Sequence, residues 1–400
     1  MDPLLQFLLV LTLIIVAAKV AGYLSMRLGQ PAVVGKLVMG LVLGPTVLNL
    51  FRWPVFSDTH LQPMIIELAH LGVLFLMFVA GLEVDLGLMA ASGRSTMLAG
   101  VLGVLTPIGL GLLVALPFGY TAQAGLFLGL VLAATSVSIS AQTLMELGVL
   151  RTPVGIALLG AAVVDDVLVI VLLSLFTAVT GEGSGLLSVI VVVGKMLLVM
   201  AAIVLVGLRV VPPLAARAER LPISEAVLSV VFVVTLVFAW ASEALGGMAA
   251  ITGAFLAGVS FGRTSLRHTI DVKVRGLTYA WLVPIFFVSI GLQTDARLLG
   301  WAGVPFALAV IGVAIVAKVL GAGSGARLGG FANKDALRLG VGMVSRGEVG
   351  LIVASIGLKE GLLTTEAFTS LVIVVLVTTL VTPLLLRRLY PRPSAAHRGS

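Results

Sequence analysis

The chain has 400 residues, of which 60% are hydrophobic and 11% charged, with a net charge of +7 and no cysteine. Soluble domains carry about 25% charged residues, so the deficit points to an all-α polytopic membrane protein and away from a soluble enzyme. The lack of cysteine excludes a disulfide framework and any thiolate ligand or nucleophile, and His60, His70, His268 and His397 have no zinc-site spacing.

A membrane-crossing helix needs about 20 mainly apolar residues. Thirteen spans are predicted, at 3–22, 31–50, 64–86, 95–118, 121–146, 153–179, 186–210, 223–244, 247–262, 277–293, 301–326, 335–358 and 366–387. The first lies in MDPLLQFLLVLTLIIVAAKVAGYL, where Asp2 stands in place of the positive charge of a signal peptide and the apolar run is too long for a signal core. It is expected to be a retained helix. Short loops punctuated by glycine and proline, such as Gly29-Gln-Pro31 and Val211-Pro-Pro213, join the spans. No nucleotide-binding or other soluble regulatory domain is read along the chain, and 391–400 is expected to be a disordered tail.

Charged and hydroxyl residues interrupt four spans. The fifth contains AATSVSISAQTLMELG (133–148), polar through Thr135, Ser136, Ser138, Ser140 and Gln142. The sixth contains GAAVVDDVLVIVLLS (160–174), with Asp165 and Asp166 side by side at mid-depth. Lys318 lies in AIVAKVLGAG of the eleventh span, and Arg346 and Glu348 lie in GVGMVSRGEVGLIV (340–353) of the twelfth. The hydroxyls serve either helix packing or ion coordination. Arg346 and Glu348 form either a structural ion pair or part of a pathway. Lys36 and Lys195 sit nearer helix ends, where long side chains snorkel, and Glu67 and Glu243 are expected near the interface.

Ionisable residues inside a bilayer need partners and mark functional sites by default. Neighbours on a helix point about 100° apart, so Asp165 and Asp166 cannot share one partner. The expected division pairs one carboxylate with Lys318 and leaves the other facing a polar cavity. Such a carboxylate can hold a proton or a hard monovalent cation, each neutralising the same charge. If the protein moves across the barrier only when one or the other is bound, it is an exchanger. The alternative is a structural Asp–Lys bridge with a spare aspartate.

Counted along alternating loops, 17 Lys and Arg residues fall on one side and only Arg52, Arg297 and Lys359 on the other. The positive-inside rule places the basic side in the cytoplasm, with the N-terminus outside and the C-terminus inside, and accounts for the net charge without nucleic acid. Thirteen spans divide as six, one and six, so that the two sets of six enter from opposite sides. Spans five and twelve then correspond, and interrupted helices at matching positions point to a transporter's binding site.

VVDDVL in span six, TSVSISAQTL in span five, PIFFVSIGL in span ten, AKVLGAGSGARLGG in span eleven and GMVSRGEVGLIVASIGL in span twelve together resemble the cation:proton antiporter superfamily. The likeness covers essentially the whole chain, and the paired aspartates with the lysine are its most specific part. They resemble the electrogenic NapA-type and GerN-type Na+/H+ antiporters rather than the electroneutral branch, which typically has Asn-Asp. Potassium-efflux Kef systems typically carry Gln-Asp and a nucleotide-binding domain.

The resemblance implies an NhaA/NapA-like fold with two inverted six-helix repeats and crossed broken helices. It implies a homodimer in a bacterial inner membrane, with dimerisation helices at 1–94 and 223–297, a transport core at 95–180 and 298–390, and a linker helix at 181–222. Asp166 would bind the ion, with Na+ held by Asp166, Thr135 and Ser136. Asp165 would pair with Lys318, Glu348 would belong to the second broken helix, and Arg346 would be a structural charge. The expected activity is electrogenic Na+(Li+)/H+ exchange by elevator-type alternating access, without a cofactor. The expected partners are a second copy and the bilayer, including its anionic lipids. A K+/H+ exchanger on the same fold is the nearest alternative, and a sodium-coupled symporter a more distant one.

Overall fold

The structure is a computed structural model and describes residues 2–84, 92–180, 186–295, 297 and 299–390; the expected disordered tail at 391–400 lies outside them. The helices are α1 (Pro3–Arg27), α2 (Ala32–Leu43), α3 (Leu61–Leu82), α4 (Gly93–Ala115), α5 (Ala122–Ala133), α6 (Val137–Glu146), α7 (Pro153–Thr180), α8 (Leu186–Arg209) and α9 (Val211–Glu219). They continue as α10 (Ala226–Trp240), α11 (Ala250–Phe261), α12 (Arg267–Leu277), α13 (Val283–Leu292), α14 (Val304–Leu328), α15 (Asn333–Gly342), α16 (Glu348–Lys359) and α17 (Thr365–Leu389). Among the described residues, 10 helical segments are long and apolar enough to cross a membrane, and α2, α11 and Val349–Leu358 are shorter apolar helices. The chain is an all-helical polytopic membrane protein.

Several boundaries differ from the predicted spans for local reasons. The second span, predicted to run to residue 50, stops as α2 at Leu43, and Gly44 is extended. Gly44 precedes Pro45, and a proline ring disfavours the helical conformation of the residue before it. The 12 residues of α2 reach about 18 Å at 1.5 Å each, short of a bilayer core of about 30 Å. The tenth span starts earlier than predicted. Its helix begins at Arg267 and continues through a π-helical stretch, Thr278–Leu282, into α13. The first part is rich in Arg and Lys, which hides it from a hydropathy reading. Spans five and twelve are each split, between α5 and α6 and between α15 and α16.

Small residues set the closest approaches. Gly321 and Gly325, one turn apart on α14, rest on the backbone of α4. A Cβ on Gly321 would meet Thr106 Cβ at 2.8 Å. With no hydrophobic force between helices in lipid, such small-residue stripes let backbones gain dispersion contact. α4 packs along α5, α7 and α14, and α14 along α15 and α17. A second group forms where α3 packs along α11 and α13, and α2 along α1 and α13. The two groups touch mainly where α6 meets α2 and α3 and where α17 meets α2.

Candidate ion-binding site

Asp165 and Asp166 occupy the middle of the 28-residue helix α7. Consecutive side chains diverge by about 100°, and here they turn to different helix groups. Asp165 is fully buried; its Oδ2 accepts from Lys318 Nζ of α14 at 2.5 Å and from the Thr135 hydroxyl at 2.5 Å. Gly103 of α4 lies beside this pair: a Cβ there would sit in ordinary contact, 3.6 Å from both Asp165 Oδ1 and Lys318 Nζ. Asp166 turns towards α11, where the Thr252 hydroxyl donates to its Oδ2 at 3.4 Å. It borders a cavity of about 10 Å³ whose other walls are Val137, Val163, Met77 and further apolar residues. That is roughly the room of one water. The polar cavity expected beside the second carboxylate is therefore small and, apart from Thr252, apolar-walled in this conformation.

The two helix breaks cross beside Asp165. Residues 134–136 separate α5 from α6, and 343–347 separate α15 from α16. The breaks satisfy each other's backbone groups. Ser136 N–H donates to the Ser345 carbonyl at 2.8 Å, and the Ser345 hydroxyl donates to the Ser136 carbonyl at 2.7 Å. The Ser140 hydroxyl reaches the Gly342 carbonyl at 2.5 Å and lies 3.1 Å from Ser345 Oγ. Unwound backbone persists at membrane depth only where protein or a water-filled cavity satisfies it. The hydroxyls of the fifth span thus close the crossing and also supply Thr135 to Asp165.

Arg346 is 1% exposed and donates to the carbonyls of Met343, Val344 and Ala314 at 3.1, 2.6 and 3.0 Å. A planar five-donor fork suits this task, and a cation is favoured at the negative C-terminal end of α15. Thr378 and Thr379 of α17 fix the same residue through its N–H and carbonyl, at 3.3 and 2.8 Å. Arg346 is thus a bracket for the break. Glu348 opens α16, and its side chain lies outside the described residues. Lys36, expected to snorkel, is instead 8% exposed and 3.9 Å from Glu146.

Among the predicted ion ligands, Thr135 is committed to Asp165 in this conformation, and Ser136 Oγ lies 3.3 Å from Ser138 Oγ. Ser136, Ser138 and Gly347 line a cavity of about 320 Å³ together with Ser289, Gln293 and Thr294. Sequence reading missed Thr252, a single hydroxyl in an apolar run, and the adjacent pair Thr378 and Thr379. Thr252 carries no local signal, because its role depends on α11 lying beside α7.

Residues 12–390 match the transmembrane sodium/hydrogen exchanger family, and the chain belongs to that family. It is 40% identical to the Na(+)/H(+)-K(+) antiporter GerN of Bacillus cereus over 99% of both chains. It is 35% identical to an Na(+)/H(+) antiporter of Enterococcus hirae, over 96% of this chain and 98% of that one. The solved structure of the sodium proton antiporter MjNhaP1 from Methanocaldococcus jannaschii superposes with a TM-score of 0.67 at 17% identity, covering 96% of each chain. That likeness establishes the fold.

Proposed function

We propose that the chain is an electrogenic Na+(Li+)/H+ antiporter of a bacterial inner membrane, exchanging cytoplasmic Na+ for external H+. Asp166 is the shared seat of the two ions, and Thr135, Ser136 and Glu348 serve the ion after the site rearranges. The observation that carries this reading is the division of the paired carboxylates: one is held by Lys318 and Thr135, while its neighbour points at the other helix group. The names of the relatives from Bacillus cereus and Enterococcus hirae support the same activity. Counting α2, α11 and the α15–α16 pair as spans brings the total to thirteen, with α8 as the linker between two inverted sets of six. In this arrangement the α4–α7 and α14–α17 group is the core that moves against a dimerising group, α1–α3 and α10–α13. The basic loops face the cytoplasm and its anionic lipids.

Cation binding at Asp166 breaks the Asp165–Lys318 bridge and the lysine gives up its proton, so more than one proton moves per cation. Each unbalanced charge is worth about 2.3 kcal/mol per 100 mV, which lets the membrane potential drive extrusion. A second reading, K+/H+ exchange, has support in the printed name of the Bacillus cereus relative, which includes K+. Purified protein in liposomes with a trapped pH dye separates these readings: Na+, Li+ and K+ are added in turn, with and without an imposed voltage. Na+ and Li+ are expected to release protons in a voltage-dependent manner. Asp166→Asn is expected to abolish the signal, and strong exchange in that variant would remove Asp166 from the site.

A further inference from the structure

The two helix groups meet unevenly. At the end where most basic loops lie, Glu146, the last residue of α6, reaches across to α2. Its Oε2 accepts from the backbone N–H of Ala32 at 2.6 Å and of Val33 at 3.4 Å, while Oε1 accepts from Gln142 Nε2 at 2.7 Å. The first N–H groups of a helix have no acceptor within it and carry its positive dipole end. Lys36, on the next turn of α2, places Nζ 3.9 Å from Oε1. Two further links flank this one: Tyr279 Oη donates to Met145 Sδ at 3.3 Å, and Arg387 Nε donates to the Gly29 carbonyl at 3.1 Å. At the opposite end the groups are parted by the cavity of about 320 Å³ between Gln293 and the crossing at Ser136 and Gly347.

We propose that Glu146 is a positioning residue for exchange: it latches α6 to α2, keeps the basic end shut while the opposite end is open, and must let go once in every cycle. The proposal rests on the alternating-access reading above. The carboxylate's partners on α2 belong to one group and the carboxylate to the other, so the contact exists in one facing state only. A group that acts in one state shifts the equilibrium between states by its full differential contribution.

The chain has no native cysteine, which permits a direct test. Ile290→Cys places one thiol on the cavity wall, and Val149→Cys places one beside the latch. Each is introduced separately into the full chain and labelled with a membrane-impermeant maleimide, in right-side-out and in inverted vesicles. Glu146→Ala is expected to lower the ratio of the labelling rate at 290 to that at 149 about tenfold, the worth of a lost hydrogen-bonded charge contact, by slowing labelling at 290 and speeding it at 149 from the other side. Glu146→Gln keeps one acceptor and is expected to fall between the parent and Glu146→Ala, and it carries the test alone if Glu146→Ala does not accumulate. Rates at both positions unchanged from the parent would overturn the latch. Labelling needs no ion turnover, so repeating it with Asp166→Asn keeps the latch result readable even if the exchange assignment fails.

Discussion

At the scale of single residues, the decisive fact is a lysine ammonium and an aspartate carboxylate buried in contact. Neither is stable alone in such surroundings. Removing one partner of a buried pair typically costs about 3–5 kcal/mol, whereas replacing both with neutral groups of similar volume is often tolerated. Lys318→Met is therefore expected to lower the unfolding midpoint in detergent sharply. Asp165→Asn combined with Lys318→Met is expected to restore most of the loss. Equal midpoints for the Lys318→Met and double variants would show that an Asp165 carboxylate stripped of its 2.5 Å partner costs the fold nothing. The transport arm of the same pair uses Lys318→Gln, which removes the titratable ammonium beside Asp165. Charge moved per cation is expected to fall, read as a weaker response of exchange to imposed voltage. An unchanged response would remove the lysine from proton delivery.

At the scale of elements, the site depends on how closely α4 and α14 approach. Gly321 rests on the α4 backbone, while Gly312 on the same helix has open space where a Cβ would stand. Gly321→Val is expected to push the helices apart, loosen Lys318 three residues earlier and abolish exchange. Gly312→Ala is expected to leave exchange intact and the unfolding midpoint equal or higher, since alanine is favoured over glycine in a helix by about 1 kcal/mol. Similar losses from both would show that the helix, not the contact, is sensitive. The contrast also marks what the sequence made legible. Asp165, Asp166 and Lys318 stood out because charges in apolar runs need partners, and the two breaks because hydroxyls and glycines crowd them. The 12-residue reach of α2 was legible only from Pro45, and the early start of α12 was masked by its basic residues. Thr252 and Glu146 carried no signal, because each acts on a helix distant in the chain, and only packing brings those helices together.

At the scale of the whole molecule, the proposed seat at Asp166, buried between α7 and α11, is one where two ions would exclude each other. Competition has a direction that can be worked out without knowing the affinity. A proton on the carboxylate blocks the cation, so acid raises the Na+ concentration needed for half-maximal exchange and alkali lowers it. Where the carboxylate is mostly protonated, each unit of acidification is expected to raise that concentration at least about tenfold, because one proton leaves the seat for each cation bound, and more steeply where Lys318 releases its proton in the same step. Saturating Na+ is expected to recover the same maximal rate, since excess cation displaces the proton. Initial rates in liposomes, with Na+ titrated at each of several pH values equal on both sides, read this directly. A half-saturating concentration that stays flat with pH while the maximal rate falls would mean separate seats for proton and cation, and would move the exchange chemistry away from Asp166.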